Sequence, residues 1–148
     1  MLQNTFLHIP GIGIKKEEHL WNIGIFNWDL CTKTGDSSFS LKKMGTMADC
    51  LRESKTQMAS LNPNYFAERM PASHHWRFFP EFRDVTAYLD IETTGLSRYD
   101  EAITTIALYD GKSIFHYVKD RNLDDFPEQI KRYKVIVTYN GKCFDVPF

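Results

Sequence analysis

The period of the apolar positions changes near Val85. In Val85 to Glu92, Val85, Ala87, Leu89 and Ile91 fall on one face of an extended chain. Thr86, Tyr88, Asp90 and Glu92 fall on the other, the period-two pattern of a half-buried strand. "EAITTIALYDGKSIFHYV" predicts two further strands joined at Asp110-Gly111, a two-residue hairpin signal. "DDFPEQIKRYK" predicts a helix capped by Asp124 or Asp125, with Pro127 in its first turn and Phe126, Ile130 and Tyr133 on a shared face. "VIVTYNG" reads as a continuous apolar strand of the kind buried on both faces. "CFDVPF", after the Asn140-Gly141 turn, opens a further helix.

Upstream the spacing is helical and interrupted. Pro10-Gly11-Ile12-Gly13 is a turn, and "IKKEEHLWNI" after it offers Ile14, Leu20, Trp21 and Ile23 to one buried face, with Gly24 at its C-terminal end. "NWDLCTKTG" predicts a short helix with Asn27 as N-cap and Gly35 as its end. A longer helix is expected over Thr46 to Ser60, stopped by Asn62-Pro63. "NPNYFAERMPASHHWRFFPEF" is expected to be a turn of helix followed by an irregular aromatic linker. The resulting division is a turn-and-helix element over 1–37, a helical segment and linker over 38–82, and an α/β domain over 83–148.

A meander of three strands, a helix and then a buried strand restricts topology. A helical crossover returns the fourth strand parallel to the first, nearly always right-handed. If the two are neighbours, their carboxyl ends share one edge of the sheet, the edge at which open α/β sheets bind ligands. Asp90 and Glu92 from one strand, and Asp145 after the other, would then converge.

Composition narrows the class. Hydrophobic residues make up 43% of 148 and charged residues 25%, ordinary for a globular chain of one-domain length. The formal net charge is −1, so no global basic field marks a polyanion partner, although Lys15-Lys16, Lys42-Lys43 and Lys131-Arg132 are local basic patches. Cys31, Cys50 and Cys143 form no CxxC, which fits structural thiols in a reducing, cytoplasmic setting. The N-terminus lacks the basic-then-apolar pattern of a signal peptide. No run approaches the ~20 apolar residues of a membrane span.

Charged groups are costly to bury unless they are paired or bind a metal. Two carboxylates two apart on a strand lie roughly 6.5 Å apart on one face, suited to gripping a hard cation. Oxygen ligands without His or Cys select Mg²⁺ or Mn²⁺ over Zn²⁺. A pair of such ions is the usual device for phosphodiester cleavage. A bare Asp-x-Glu also describes a solvated strand end. Thr93-Thr94-Gly95-Leu96 behind it, with Asn140 and Asp145 at the second strand end, favours the metal reading.

"YLDIETTGL" resembles the first motif of the DEDD (DnaQ-like) 3′–5′ exonucleases, and "TYNGKCFDVPF" resembles their second. Together with "FLHIPGIG", "EHLW" and "WRFFPEFRDV", nearly the whole chain resembles the YprB-type ribonuclease H-like family. The resemblance implies a ribonuclease H-like mixed sheet, of which the chain holds the first half. It implies two Mg²⁺ or Mn²⁺ ions, with Asp90 bridging both, Glu92 holding one, and Asp145 serving the second through water. Thr93, Thr94 and Leu96 would border the terminal nucleotide, Asn140 would belong to the second motif, and a single-stranded 3′ end of DNA or RNA would be the partner. The family's third motif, a His or Tyr before a fourth acidic residue, is expected beyond Phe148, which makes the chain an incomplete and inactive piece of the nuclease.

"IPGIGIKKEEHLW" resembles half of a helix-hairpin-helix element, in which Gly11, Gly13 and the following helix N-terminus would meet a phosphate and Lys15 and Lys16 would add charge. A plain Pro-Gly turn before a helix fits the same letters. A non-catalytic nucleic-acid-binding module on a degenerate fold is therefore the rival to the nuclease. A recombinase of the same fold fits less well, because Glu92 and the Thr-Thr-Gly run belong to the exonuclease pattern. His74-His75 lack a third ligand, His8 and His19 are packing or surface residues, and His116 is a mid-strand residue. Most of the tryptophans and phenylalanines belong to cores.

Overall fold

The computed structural model describes residues 1–33, 41–95, 102–139, 141 and 145. The chain packs as two units, Met1–Glu81 and Phe82–Phe148.

The first unit is helical. Helix α1 spans Ile14–Asn22, α2 Trp28–Lys33, α3 Leu41–Ala59 and α4 Pro63–Ala67, followed by a 3₁₀ stretch over Ala72–Phe78 and a final short helix α5, Phe79–Phe82, that straddles the unit boundary. Asn27 accepts the Leu30 backbone N–H at 2.9 Å, so the expected cap of α2 forms. Gly35 lies outside the described residues. Helix α3 begins at Leu41, before the expected Thr46. Helix α1 buries a different face from the one the apolar letters suggest. Ile14 and Ile23 are exposed, whereas Leu20 and the carboxylate of Glu17 are buried. Trp28 is the largest core side chain and donates its indole N–H to the Thr5 carbonyl at 2.7 Å, while Trp76 is exposed.

His8 is a core residue here. Its ring packs 5.2 Å from Trp28 and 5.5 Å from Phe66, and neither ring nitrogen has a partner among the described residues. Burial, helped by the Arg69 guanidinium, pushes its pKa down to about 4 from 6.5. The unfolded chain therefore binds the extra proton between pH 6.5 and 4, and stability falls as pH falls through that window. By pH 5 the loss should reach about 2 kcal/mol at 1.36 kcal/mol per pH unit. His8→Phe should flatten that part of the curve in urea titrations run from pH 7 to 5. An unchanged slope would remove His8 as its source.

The second unit is a mixed sheet. Strands β1 (Thr86–Thr93), β2 (Ile103–Tyr109), β3 (Ile114–Val118) and β4 (Val135–Val137) lie in the order β3-β2-β1-β4, with β4 parallel to β1 and the other pairs antiparallel. The parallel return of β4 is the one the strand order allowed, and the sheet is consistent with the ribonuclease H-like arrangement that the resemblance implied. Ala87, Ile91, Ile106, Leu108 and Tyr117 form its core. Leu123, Phe126, Ile130 and Tyr133, from a 3₁₀ turn, helix α6 (Phe126–Ile130) and the residues behind it, pack on that core. The Tyr117 and Phe126 rings meet edge to face at 5.4 Å.

Three local expectations change. The hairpin turn takes four residues, 110–113, because Asp110 accepts the N–H groups of Lys112 and Ser113 and holds both out of the ladder. The Asp125 side chain forms no cap on α6, which is only five residues long. Finally, β4 is not buried on both faces. It is a three-residue edge strand whose Ile136 and Val137 are 49% and 37% exposed. The helix expected over "CFDVPF" falls mostly outside the described residues.

Candidate functional site

Strand pairing fixes the face of each site residue, because directly paired residues project the same way. Leu89 pairs with Leu108 and Ile91 with Ile106, which defines the apolar face under α6. Asp90 pairs with Ala107 and Glu92 with Thr105, so both carboxylates stand on the opposite, polar face. Both are exposed, and no described residue donates a hydrogen bond to either carboxylate. Past Glu92 the register slips by one, and Thr93 pairs with Ile103. The extra residue, Thr104 of β2, turns Ile103 to the apolar side.

The Thr-Thr-Gly run ties down the turn behind the carboxylates. Thr93 donates its hydroxyl to the Gly95 carbonyl. Thr94 donates its N–H to the Ala102 carbonyl and accepts the Ala102 N–H on its hydroxyl, both at 3.0 Å. Thr104 donates its hydroxyl to the Glu92 carbonyl at 3.0 Å. These bonds hold the backbone around Asp90 and Glu92. Leu96 and Asn140 lie outside the described residues.

Asp145 stands elsewhere. It is buried and lines a cavity of about 490 Å³ on the apolar face, together with Leu89, Ile91, Phe126, Ile130 and Ile136. Its Oδ2 has no partner among the described residues. A Cβ on Gly141 would lie 1.6 Å from Thr138 Oγ1 and 2.9 Å from that same Oδ2, so only glycine lets the chain close here. Among the described residues no three His, Cys, Asp or Glu side chains are gathered closely enough to hold a metal ion. Asp90 and Glu92 therefore share the polar face, whereas Asp145 lines the cavity on the apolar face.

The same pairing exposes a residue that position in the strand alone did not single out. His116 pairs with Ala107, which pairs with Asp90, so His116 shares the polar face and the row of Asp90. Hairpin parity was the available signal. Turns of two or four residues both put His116 on this face.

In the first unit, Gly11 takes φ +80°, a left-handed conformation suited to glycine, and Gly13 begins α1 without a side-chain cap. Lys15 and Lys16 are exposed, and Lys16 donates its ammonium to the Gly11 carbonyl at 2.6 Å.

No helix among the described residues is long and apolar enough to cross a membrane. Neither a curated protein nor a solved structure matches the chain. Residues 87–148, the segment that carries all but the first residue of the sheet and all three carboxylates, match the RNase_H_2 family of the RNase_H superfamily.

Proposed function

We propose that the second unit is a metal-dependent nuclease domain, a 3′–5′ exonuclease of the DEDD kind acting on DNA or RNA. The observation that carries this reading is the pair Asp90 and Glu92. They are exposed, unpaired among the described residues and on one face of the strand that neighbours a parallel strand in a ribonuclease H-like sheet. Their donor set, hard carboxylate oxygens without nitrogen or sulfur, fits Mg²⁺ or Mn²⁺. When bound, such a cation supplies charge stabilisation at phosphate and acidifies a bound water. The chain's own part is to aim Asp90 and Glu92 from a strand whose end is clamped by Thr93, Thr94 and Thr104. Gly11, Gly13, Lys15 and Lys16 offer a second, sequence-independent contact to a nucleic-acid backbone.

One observation favours a second reading, a nucleic-acid-binding module without catalysis: Asp145 is not gathered with the pair. Paramagnetic broadening by Mn²⁺ separates the two. The nuclease reading expects EDTA-reversible loss of amide signals centred on residues 90–92 and 105–107. Salt-dependent oligonucleotide binding with no localised broadening would establish the module instead.

A further inference from the structure

The two-carboxylate reading leaves one group on the polar face unused. Asp90, Ala107 and His116 form a single row across β1, β2 and β3. With neighbouring strands about 4.8 Å apart, the outer two residues of the row stand roughly 10 Å apart. Among the described residues His116 joins no group of three His, Cys, Asp or Glu side chains that could hold a metal ion. The residue between Asp90 and His116 is alanine, so the interval is floored by a methyl group. On one side of the row lie the paired Tyr88 and Tyr109, ring centroids 5.8 Å apart, and on the other Glu92, Thr105 and Val118. The result is a shallow trough with carboxylates on one bank and an imidazole on the other.

His116 is exposed, and its ring bonds to no described residue. Its backbone is held firmly. Asn122 donates its side-chain N–H to the His116 carbonyl at 2.9 Å and accepts the Val118 N–H at 2.8 Å. An imidazole on a fixed strand, with a ring N–H that meets no described residue, is a donor suited to an anionic oxygen.

We infer that His116 contacts substrate, donating a ring N–H to a non-bridging phosphate oxygen of a nucleic-acid strand that lies across Ala107. The phosphate lies between the banks, hydrogen-bonded from the His116 side and facing the cation that Asp90 and Glu92 would hold on the other. This inference rests on the nuclease reading for the position of the phosphate, and the test separates the two. The probe is 5′-fluorescein hexathymidylate, followed by anisotropy with the full 148-residue chain in Ca²⁺ and in EDTA. His116→Ala should weaken Ca²⁺-dependent binding roughly tenfold, the scale of one hydrogen bond to a charged group, while the melting temperature stays unchanged. His116→Gln, which keeps an N–H, should recover part of that loss, which a purely structural role would not predict. If His116→Ala binds as the parent does while Asp90→Asn loses the Ca²⁺ dependence, the inference fails and the nuclease reading stands. If His116→Ala weakens binding but neither Ca²⁺ nor Asp90→Asn alters it, the phosphate contact stands and the nuclease reading fails. If neither substitution nor Ca²⁺ matters, both fail.

Discussion

Replacing Asp90 by asparagine should lower Mn²⁺ affinity of the second unit at least about 100-fold, the most that loss of a merely supporting group costs at a metal site. The substitution keeps shape and removes charge. Asp90 is exposed on β1 and no described residue bonds its carboxylate, so no folded-state partner is lost with it. Glu92 would remain on the same face with a single carboxylate, too little to hold a hard cation against water. Glu92→Gln should therefore act in the same direction, and the double substitution should add little, because each single change already breaks the pair. Asp145→Asn provides the contrast. Its carboxylate lies on the cavity side with an Oδ2 that has no partner among the described residues, so removing its charge should leave Mn²⁺ affinity within about twofold and should not destabilise the fold. Isothermal titration with Mn²⁺, alongside urea unfolding of each variant, measures both quantities. An Asp145→Asn loss as large as that of Asp90→Asn would restore the three-carboxylate site expected from the motifs.

The contrast between Asp90 and Asp145 also marks where sequence reading stops. Side-chain direction within β1 follows from strict alternation, so Ala87, Leu89 and Ile91 against Asp90 and Glu92 could be read without coordinates. The parallel direction of β4 followed from the intervening helix, whereas its place beside β1 stayed a condition until the pairing fixed it. Asp145 lies beyond the end of β4, where direction depends on the closure of Gly141 against Thr138 and not on any period. The apolar letters of β4 suggested cover on both faces, but an edge position leaves Ile136 and Val137 half open. His116 was visible only as a mid-strand histidine until the ladder assigned it a row with Asp90. Pairing partners across strands are long-range facts, and local pattern does not contain them.

Glu17 belongs to the same category, and it yields the largest stability prediction. Arg77→Leu should destabilise the first unit by about 3–5 kcal/mol, the cost of breaking a buried ion pair by removing one partner. Glu17 is 1% exposed in the first turns of α1. Its Oε1 accepts the Phe6 N–H at 2.7 Å and the Thr5 hydroxyl, and its Oε2 accepts Arg77 Nη1 at 2.6 Å. Arg77 also donates to Thr5 Oγ1 at 3.1 Å and lies 5.6 Å from the Trp21 and Trp76 ring centroids. Leucine fills part of the space but leaves the carboxylate buried with two donors and no countercharge. Glu17→Gln on the same background removes that charge, so the double variant should recover a large part of the loss. Because the pair is buried, added salt should change these differences little. The brace ties the start of α1 to the chain at Thr5–Phe6, so it also fixes the Gly11–Lys16 turn proposed to face a phosphate. Urea midpoints at constant slope, read by circular dichroism, measure the effect. An Arg77→Leu cost below about 1 kcal/mol, the level of a surface pair, would show that Glu17 is satisfied by Thr5 and Phe6 alone.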